Sequence, residues 1–224
     1  MSTETDLAPE GRGVPGPFDP TAGRQATATQ WASEHAKIIA DPAPLGLAGF
    51  ALTTFLLSLV NAGVIPAGGE PMVFGLALAY GGLAQLLAGM WEFRKGNTFG
   101  ATAFGSYGAF WISFWALTTF YAKGLGSSAA SAVGWYLIAW GIFTTLMLVA
   151  ALRTTAGVAV VFLLLSITFY LLGFGEWTTQ SWVATAGGWF GIATAGAAWY
   201  VALAAVAAST FGRPVLPNPP LARP

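Results

Sequence analysis

Asn61, Gln85 and Glu92 lie in or beside long apolar stretches, where a polar group needs a partner or a water-filled path. A weaker series of hydroxyls accompanies them. Phe50, Thr53, Thr54, Leu57 and Asn61 recur at i, i+3, i+4, i+7 and i+11, which is one helix face. Gln85 and Glu92 stand two turns apart, with Gly81, Ala88 and Gly89 on the same side. Thr102, Ser106 and Ser113 form a hydroxyl face beside Tyr107, and Ser166, Ile167 and Thr168 precede Tyr170. These are hydroxyls, amides and rings rather than charges. A path lined this way suits a small neutral solute, or a small monoanion held by hydrogen bonds and helix N-terminal amides. A plainer reading stands beside this one. Ser and Thr in membrane helices often bond their own backbone, and Glu92, next to Arg94 and Lys95, also reads as part of a solvated pair at the membrane surface.

Other chemistries lack their parts. The chain has no cysteine, so disulfides, thiol catalysis and thiolate metal sites are excluded. Its one histidine, His35, precedes every apolar stretch, and no acidic cluster there offers a metal site. No Ser–His or Asp–Asp constellation suited to proteolysis falls within a span, and no lysine there could hold retinal. Zero net charge gives no basic surface for nucleic acid. The expectation is a protein without catalytic residues, cofactor or metal.

The elements that must hold these residues follow from charge spacing. Only 8% of residues are charged and 55% are hydrophobic, against roughly a quarter charged in soluble domains. From Pro42 to Gly212 the charged residues are Glu70, Glu92, Arg94, Lys95, Lys123, Arg153 and Glu176. They leave six uncharged windows, each longer than the roughly 20 residues that cross a bilayer core. The expected fold is therefore an all-α integral membrane protein with helices at 44–63, 71–93, 99–122, 132–152, 156–175 and 181–208. Arg94, Lys95, Arg153, Arg213, Arg223 and the basic residues before the first span fall on one side. Lys123 stands alone on the other, which places both termini in the cytoplasm. Residues 1–40 read as a cytoplasmic tail without a secretory signal, with a possible surface helix at 28–39. Residues 41–210 read as the transport domain and 211–224 as a cytoplasmic tail. Glycines along "GGLAQLLAG" and "GGWFGIATAG" predict tight packing of the second and sixth spans.

"DPAPLGLAGFALTTFLLSLVNAG" and "YGGLAQLLAGMWEFRKGNTFGATAFGSYGAFW" resemble the acetate uptake transporters, the succinate–acetate permease group of bacteria and fungi. The similarity continues through "GWYLIAWGIFTTLM" and "FLLLSITFYLL" to "FGRPVLP", covering roughly residues 41–217. The opening motif is Asp41, Pro42, Ala43, Pro44, Leu45 and Gly46, with aspartate where the family has asparagine. The resemblance implies a plasma-membrane homohexamer of six-helix protomers, each conducting acetate or related short carboxylates by channel-like or proton-coupled uptake. It implies an apolar constriction at Phe50, Tyr107 and Ile167, the last in place of leucine. Thr53, Asn61, Gln85, Glu92, Ser106 and Ser166 are the expected pathway residues. A channel for water, ammonia or glycerol is the alternative. "DPA" resembles the Asn-Pro-Ala boxes of aquaporins, but it occurs once and no mid-span arginine accompanies it. Asp41 itself suits a helix N-cap, with Pro42 and Pro44 in a first turn whose amides need no intrahelical partner.

Overall fold

The computed structural model describes residues 39–178 and 180–222. The tail expected over 1–40, with its surface helix at 28–39, lies outside the described residues except for its last two positions. Among the described residues the secondary structure is helical, without strands. The helices are α1 Ala43–Asn61, α2 Pro71–Leu78, α3 Gln85–Lys95, α4 Thr98–Ala116, α5 Ala122–Leu125, α6 Ala129–Ala151, α7 Ala156–Trp177 and α8 Ser181–Phe211. Two π-helical turns, Ala79–Ala84 and Leu117–Tyr121, join α2 to α3 and α4 to α5.

The boundaries have local causes. Pro42 and Pro44 open α1, and the first backbone bond runs from the Gly46 N–H to the Pro42 carbonyl at 3.2 Å. Asp41 stands one residue before the N-cap position, which Pro42 occupies. Its Oδ1 nevertheless accepts the orphan Ala43 N–H at 3.0 Å, so the expected cap acts one residue early. Pro42 cannot offer a capping oxygen, which leaves that task to its neighbour. Gly96 ends α3 at φ +79°, a left-handed conformation costly for residues with a Cβ. Asn97 then caps α4, its Oδ1 accepting the Gly100 N–H at 3.1 Å.

Among the described residues, five continuous helical runs are long and apolar enough to cross a membrane, and Thr98–Ala151, at 54 residues, is one of them. That run reverses on itself around Gly126, whose φ is +51°. Tyr107 bonds Thr144, and Ser113 bonds Tyr136, so numbers rise along α4 as they fall along α6. The two arms are antiparallel.

Small residues set the helix spacing, as the sequence predicts. A Cβ on Gly89 would come within 2.5 Å of the Gly105 backbone nitrogen, bringing α3 against α4. In α8, Gly188 meets the α1 backbone at Asn61 and Ala62, while Gly187 meets Leu172 of α7. No hydrophobic effect drives helices together in lipid, so close backbone contact supplies the attraction. The outer faces are apolar: Leu146, Val149, Trp182 and Leu203 are all more than half exposed. Such a surface suits hydrocarbon rather than water.

The C-terminal segment folds back on the bundle. Pro219 O accepts the Ala156 N–H at 3.0 Å, and Asn218 Oδ1 accepts the Gly157 N–H at 3.0 Å. Tyr200 donates to Pro217 O at 2.7 Å. The first two contacts satisfy free amides at the start of α7.

Candidate functional site

Three helices line two cavities in succession. The first cavity, about 250 Å³, is bordered by Asp41, Ala43, Asn97, Gly100, Thr155 and Asn218. The second, about 310 Å³, is bordered by Asn61, Glu70, Thr118 and Glu176. Phe50 and Leu165 line both, so they form the wall between them. Along α1 the lining runs Ala43, Leu47, Phe50 on the Asp41 side and then Thr54, Leu57, Ser58, Asn61 on the Glu70 side. Along α4 it passes from Phe99, Ala103 and Tyr107 to Phe110, Trp111 and Phe114. Along α7 it passes from Val158, Val161 and Phe162 through Leu165 to Thr168, Phe169 and Leu172. All three helices therefore run in the same direction, with their N-termini at the Asp41 cavity.

The neck between the cavities is aromatic and apolar. The Phe50 and Tyr107 rings lie 5.9 Å apart, and Phe162 sits 6.0 Å from Tyr107. Tyr107 is held by its hydroxyl, which donates to Thr144 Oγ1 at 2.9 Å. Thr144 in turn donates to the Trp140 carbonyl at 2.7 Å. A buried phenol O–H needs such a partner, and here the partner also fixes the ring's position.

The structure brings some expected residues to this path and not others. The Phe50 and Tyr107 rings lie against each other at this wall. Ile167 does not join them: it is half-buried and lines neither cavity, while Leu165 takes its place beside Phe50. Two residues along a helix turn the side chain through about 200°, so the two cannot share a face. Asn61 lines the Glu70 cavity and Gln85 the Asp41 cavity. Gln85 is 1% exposed, and its Oε1 has no hydrogen-bond partner among the described residues. Thr53, Ser106 and Ser166 line neither cavity. Thr53 and Ser166 bond the carbonyls of Gly49 and Phe162 at 2.9 and 2.8 Å, the plainer outcome weighed above.

Glu92, expected on the path, also lines neither cavity, and it is not part of a solvated pair either. It is fully buried, and neither carboxylate oxygen has a hydrogen-bond partner among the described residues. Its side chain lies against Gly100, where a Cβ would crowd it. Gly96 turns the chain at the end of α3, so the start of α4 covers Glu92. Lys95 reaches across to Asp41 instead, Nζ to Oδ1 at 2.8 Å. Of the opening motif, Asp41 and Ala43 line the Asp41 cavity. Pro42 and Pro44 start the helix, Leu45 is exposed, and Gly46 makes room for the Phe104 ring.

Leu165, Thr144 and Trp111 are the residues that sequence reasoning passed over. Leu165 was legible in the spacing Val158, Phe162, Leu165, Phe169, Leu172, an apolar stripe at three- and four-residue steps. Trp111 stands four residues after Tyr107, on the same face. Thr144 carried no signal beyond being a hydroxyl in an apolar helix.

Two cavities in line, joined at an apolar neck within a helical bundle faced with hydrocarbon side chains, define a membrane transport protein. The chain belongs to the GPR1/FUN34/yaaH family, whose pattern it matches over residues 23–222. It is 44% identical over 201 residues to acetate permease A of Emericella nidulans, covering 83% of this chain and 67% of that one. It is 40% identical over 180 residues to the succinate-acetate/proton symporter SatP of Escherichia coli, covering 80% and 95%. The solved structure of the bacterial acetate channel SatP superimposes with a TM-score of 0.76 at 39% identity, covering 81% of this chain and 99% of that chain.

Proposed function

We propose that this protein moves acetate and related short carboxylates across the plasma membrane through the neck of Phe50, Tyr107 and Leu165. The observation that carries the reading is the meeting of two cavities at that apolar wall. A hydrated inorganic ion loses its water poorly in such a neck, whereas a methyl group passes between rings. The protomer spans the membrane six times with both termini cytoplasmic. The antiparallel arms of the Thr98–Ala151 run and the basic bias of Arg94, Lys95, Arg153 and Arg213 support that topology. The protomers assemble as a hexamer, a reading supported by the family resemblance and by the apolar outer faces.

Charge selection follows from helix direction. The N-termini of α1, α4 and α7 surround the Asp41 cavity, and the positive ends of three helix dipoles favour an anion there. Several of their first amides are taken by Asp41, Asn97, Thr155 and Asn218. The helices thus contribute mainly their field, and the substrate's hydrogen bonds come from side chains. Pairing with Lys95 offsets the negative charge that Asp41 brings to this mouth.

A second reading has its own observation. Glu70 and Glu176 border the other cavity, an arrangement that favours neutral solutes or the protonated acid over a free anion. Purified protein in liposomes separates the two. Labelled acetate flux that saturates, competes with unlabelled acetate and ignores glycerol and ammonia is the expected result. Running the assay with and without a pH gradient distinguishes proton coupling from passive conduction. Acetate flux no greater than in protein-free vesicles overturns the transport assignment, and glycerol competition establishes the neutral-solute channel instead.

A further inference from the structure

The residues that follow α8 belong to no span, yet they reach the mouth of the path. Gly212 ends α8 at φ +68°, and beyond it the chain turns back to the start of α7. Thr155 and Pro220 face each other there in an antiparallel bridge. It is closed by the Ala156 N–H to Pro219 O at 3.0 Å and the Leu221 N–H to Thr154 O at 2.8 Å. Asn218 Oδ1 accepts the Gly157 N–H at 3.0 Å, and Pro217 O accepts the Tyr200 hydroxyl at 2.7 Å. Asn218, Thr154 and Thr155 all border the Asp41 cavity. Part of that cavity's wall is therefore a strap, residues 217–221, rather than a membrane helix.

The strap's composition fits what it covers. Proline has no N–H, so the backbone of Pro217, Pro219 and Pro220 presents acceptors only. The first amides of a helix are donors without intrahelical partners, and Ala156 and Gly157 supply two of them. Proline's fixed φ also keeps a free strap extended, so docking orders little chain. Burial, by contrast, holds it weakly. Pro217, Pro219, Pro220 and Leu221 are exposed, and Asn218 is only half-buried. A segment fixed by a few exposed hydrogen bonds opens locally at far less cost than the bundle unfolds. Gly212 offers the pivot, since a Cβ there would meet nothing within 4 Å. We propose that residues 217–221 are a lid on the Asp41 cavity, swinging about Gly212 and shut in this structure.

Lifting the lid takes Asn218 out of the cavity wall and uncovers the turn at residues 154–157. The mouth then widens on the α7 side, while Asp41, Ala43, Asn97 and Gly100 still border it on the α1 and α4 sides. Selection by size stays with the neck at Phe50 and Leu165, which lies deeper than the strap. The lid sets how readily the cavity exchanges its contents with the water outside. A permanent wall differs from a lid in one respect: pinning a wall in place changes nothing.

This inference rests on the acetate reading for its transport readout, and hydrogen exchange tests it separately. The chain has no cysteine, so Thr155→Cys with Pro220→Cys introduces a single pair. Residues opposite each other in an antiparallel bridge have Cα atoms about 4.5–5.5 Å apart, within disulfide range. In liposomes, oxidising the pair is expected to remove most of the acetate flux, and dithiothreitol to restore it. The reduced protein is its own control. Asn218→Ala removes one anchor and leaves the Ala156 to Pro219 bond in place. It should speed hydrogen exchange at the Ala156 amide roughly two- to tenfold, one hydrogen bond's share of the closing equilibrium. Tyr200→Phe should do the same from the other end of the strap. Should the cysteine pair not oxidise, acetate flux at low substrate in Asn218→Ala carries the transport arm, and it should exceed wild type. Wild-type protein without acetate flux removes the transport reading, and exchange then still judges the strap's motion. With wild-type flux present, equal flux in the oxidised and reduced pair overturns the lid alone, as does unchanged flux in Asn218→Ala. An Ala156 amide that exchanges as slowly as the α7 interior and ignores both anchor variants overturns it as well.

Discussion

Thr144→Val tests whether the neck is held by one hydrogen bond. The Tyr107 ring is 3% exposed and its hydroxyl donates to Thr144 Oγ1 at 2.9 Å. Valine keeps the shape of threonine but strands the phenol O–H among Phe143, Trp140 and Phe162, at a cost of about 1–3 kcal/mol. Tyr107→Phe removes the same bond from the other side. Thr144 then still donates to Trp140 O at 2.7 Å, so the cost should be only about 0.5–1.5 kcal/mol. In the double variant no donor is stranded, so its cost should fall short of the sum of the two. The shortfall should be about 0.6 and up to about 1.7 kcal/mol, the range measured between membrane helices. Reversible unfolding in mixed micelles measures all three. The flux ratio of butyrate to acetate is the second readout, and it should rise in Thr144→Val as the ring loses its tether. A Thr144→Val protein no less stable than Tyr107→Phe, or strictly additive costs in the double variant, refutes the reasoning.

Three further outcomes follow from the same geometry. Leu165→Ala should admit longer carboxylates through the neck, whereas Ile167→Ala should leave the acetate-to-butyrate ratio unchanged; equal effects would show that the neck is not where the cavities place it. Gly89→Ala should destabilise the fold, because its Cβ would lie 2.5 Å from the Gly105 nitrogen. Gly196→Ala, with nothing within 4 Å, should stabilise it by about 0.5–1 kcal/mol, and thermal unfolding compares the two. Lys95→Met should slow acetate flux by exposing the Asp41 charge at the mouth, and adding Asp41→Asn should restore it. Stability should change by less than about 1 kcal/mol, since both partners of the pair are over a third exposed. Persistent slow flux in the double variant would assign the effect to Lys95 itself.

The sequence by itself determined the helices, because an apolar run between charges has few alternatives in lipid, where every backbone group must be satisfied internally. It also carried the family resemblance and, through the motifs, Phe50 and Tyr107. The structure's runs match the expected helices closely; the main difference is the pair of π-helical turns, which apolar spacing does not announce. Tertiary structure alone decided which side chains face the path. Ile167 lies in the expected motif, but helix phase turns Leu165 rather than Ile167 toward the two cavities, and phase is set by packing against other helices. Glu92 looked solvated because its chain neighbours are basic, yet the turn at Gly96 folds α4 over it. Asp41 found Lys95 across 54 residues, and Asn218 reached Gly157 across 61, distances at which local pattern says nothing. The same limit hid that the Thr54 hydroxyl and the Trp111 indole have no hydrogen-bond partner among the described residues. A hydroxyl and an indole look ordinary in a list of residues, and their lack of partners exists only once every neighbour has taken its place.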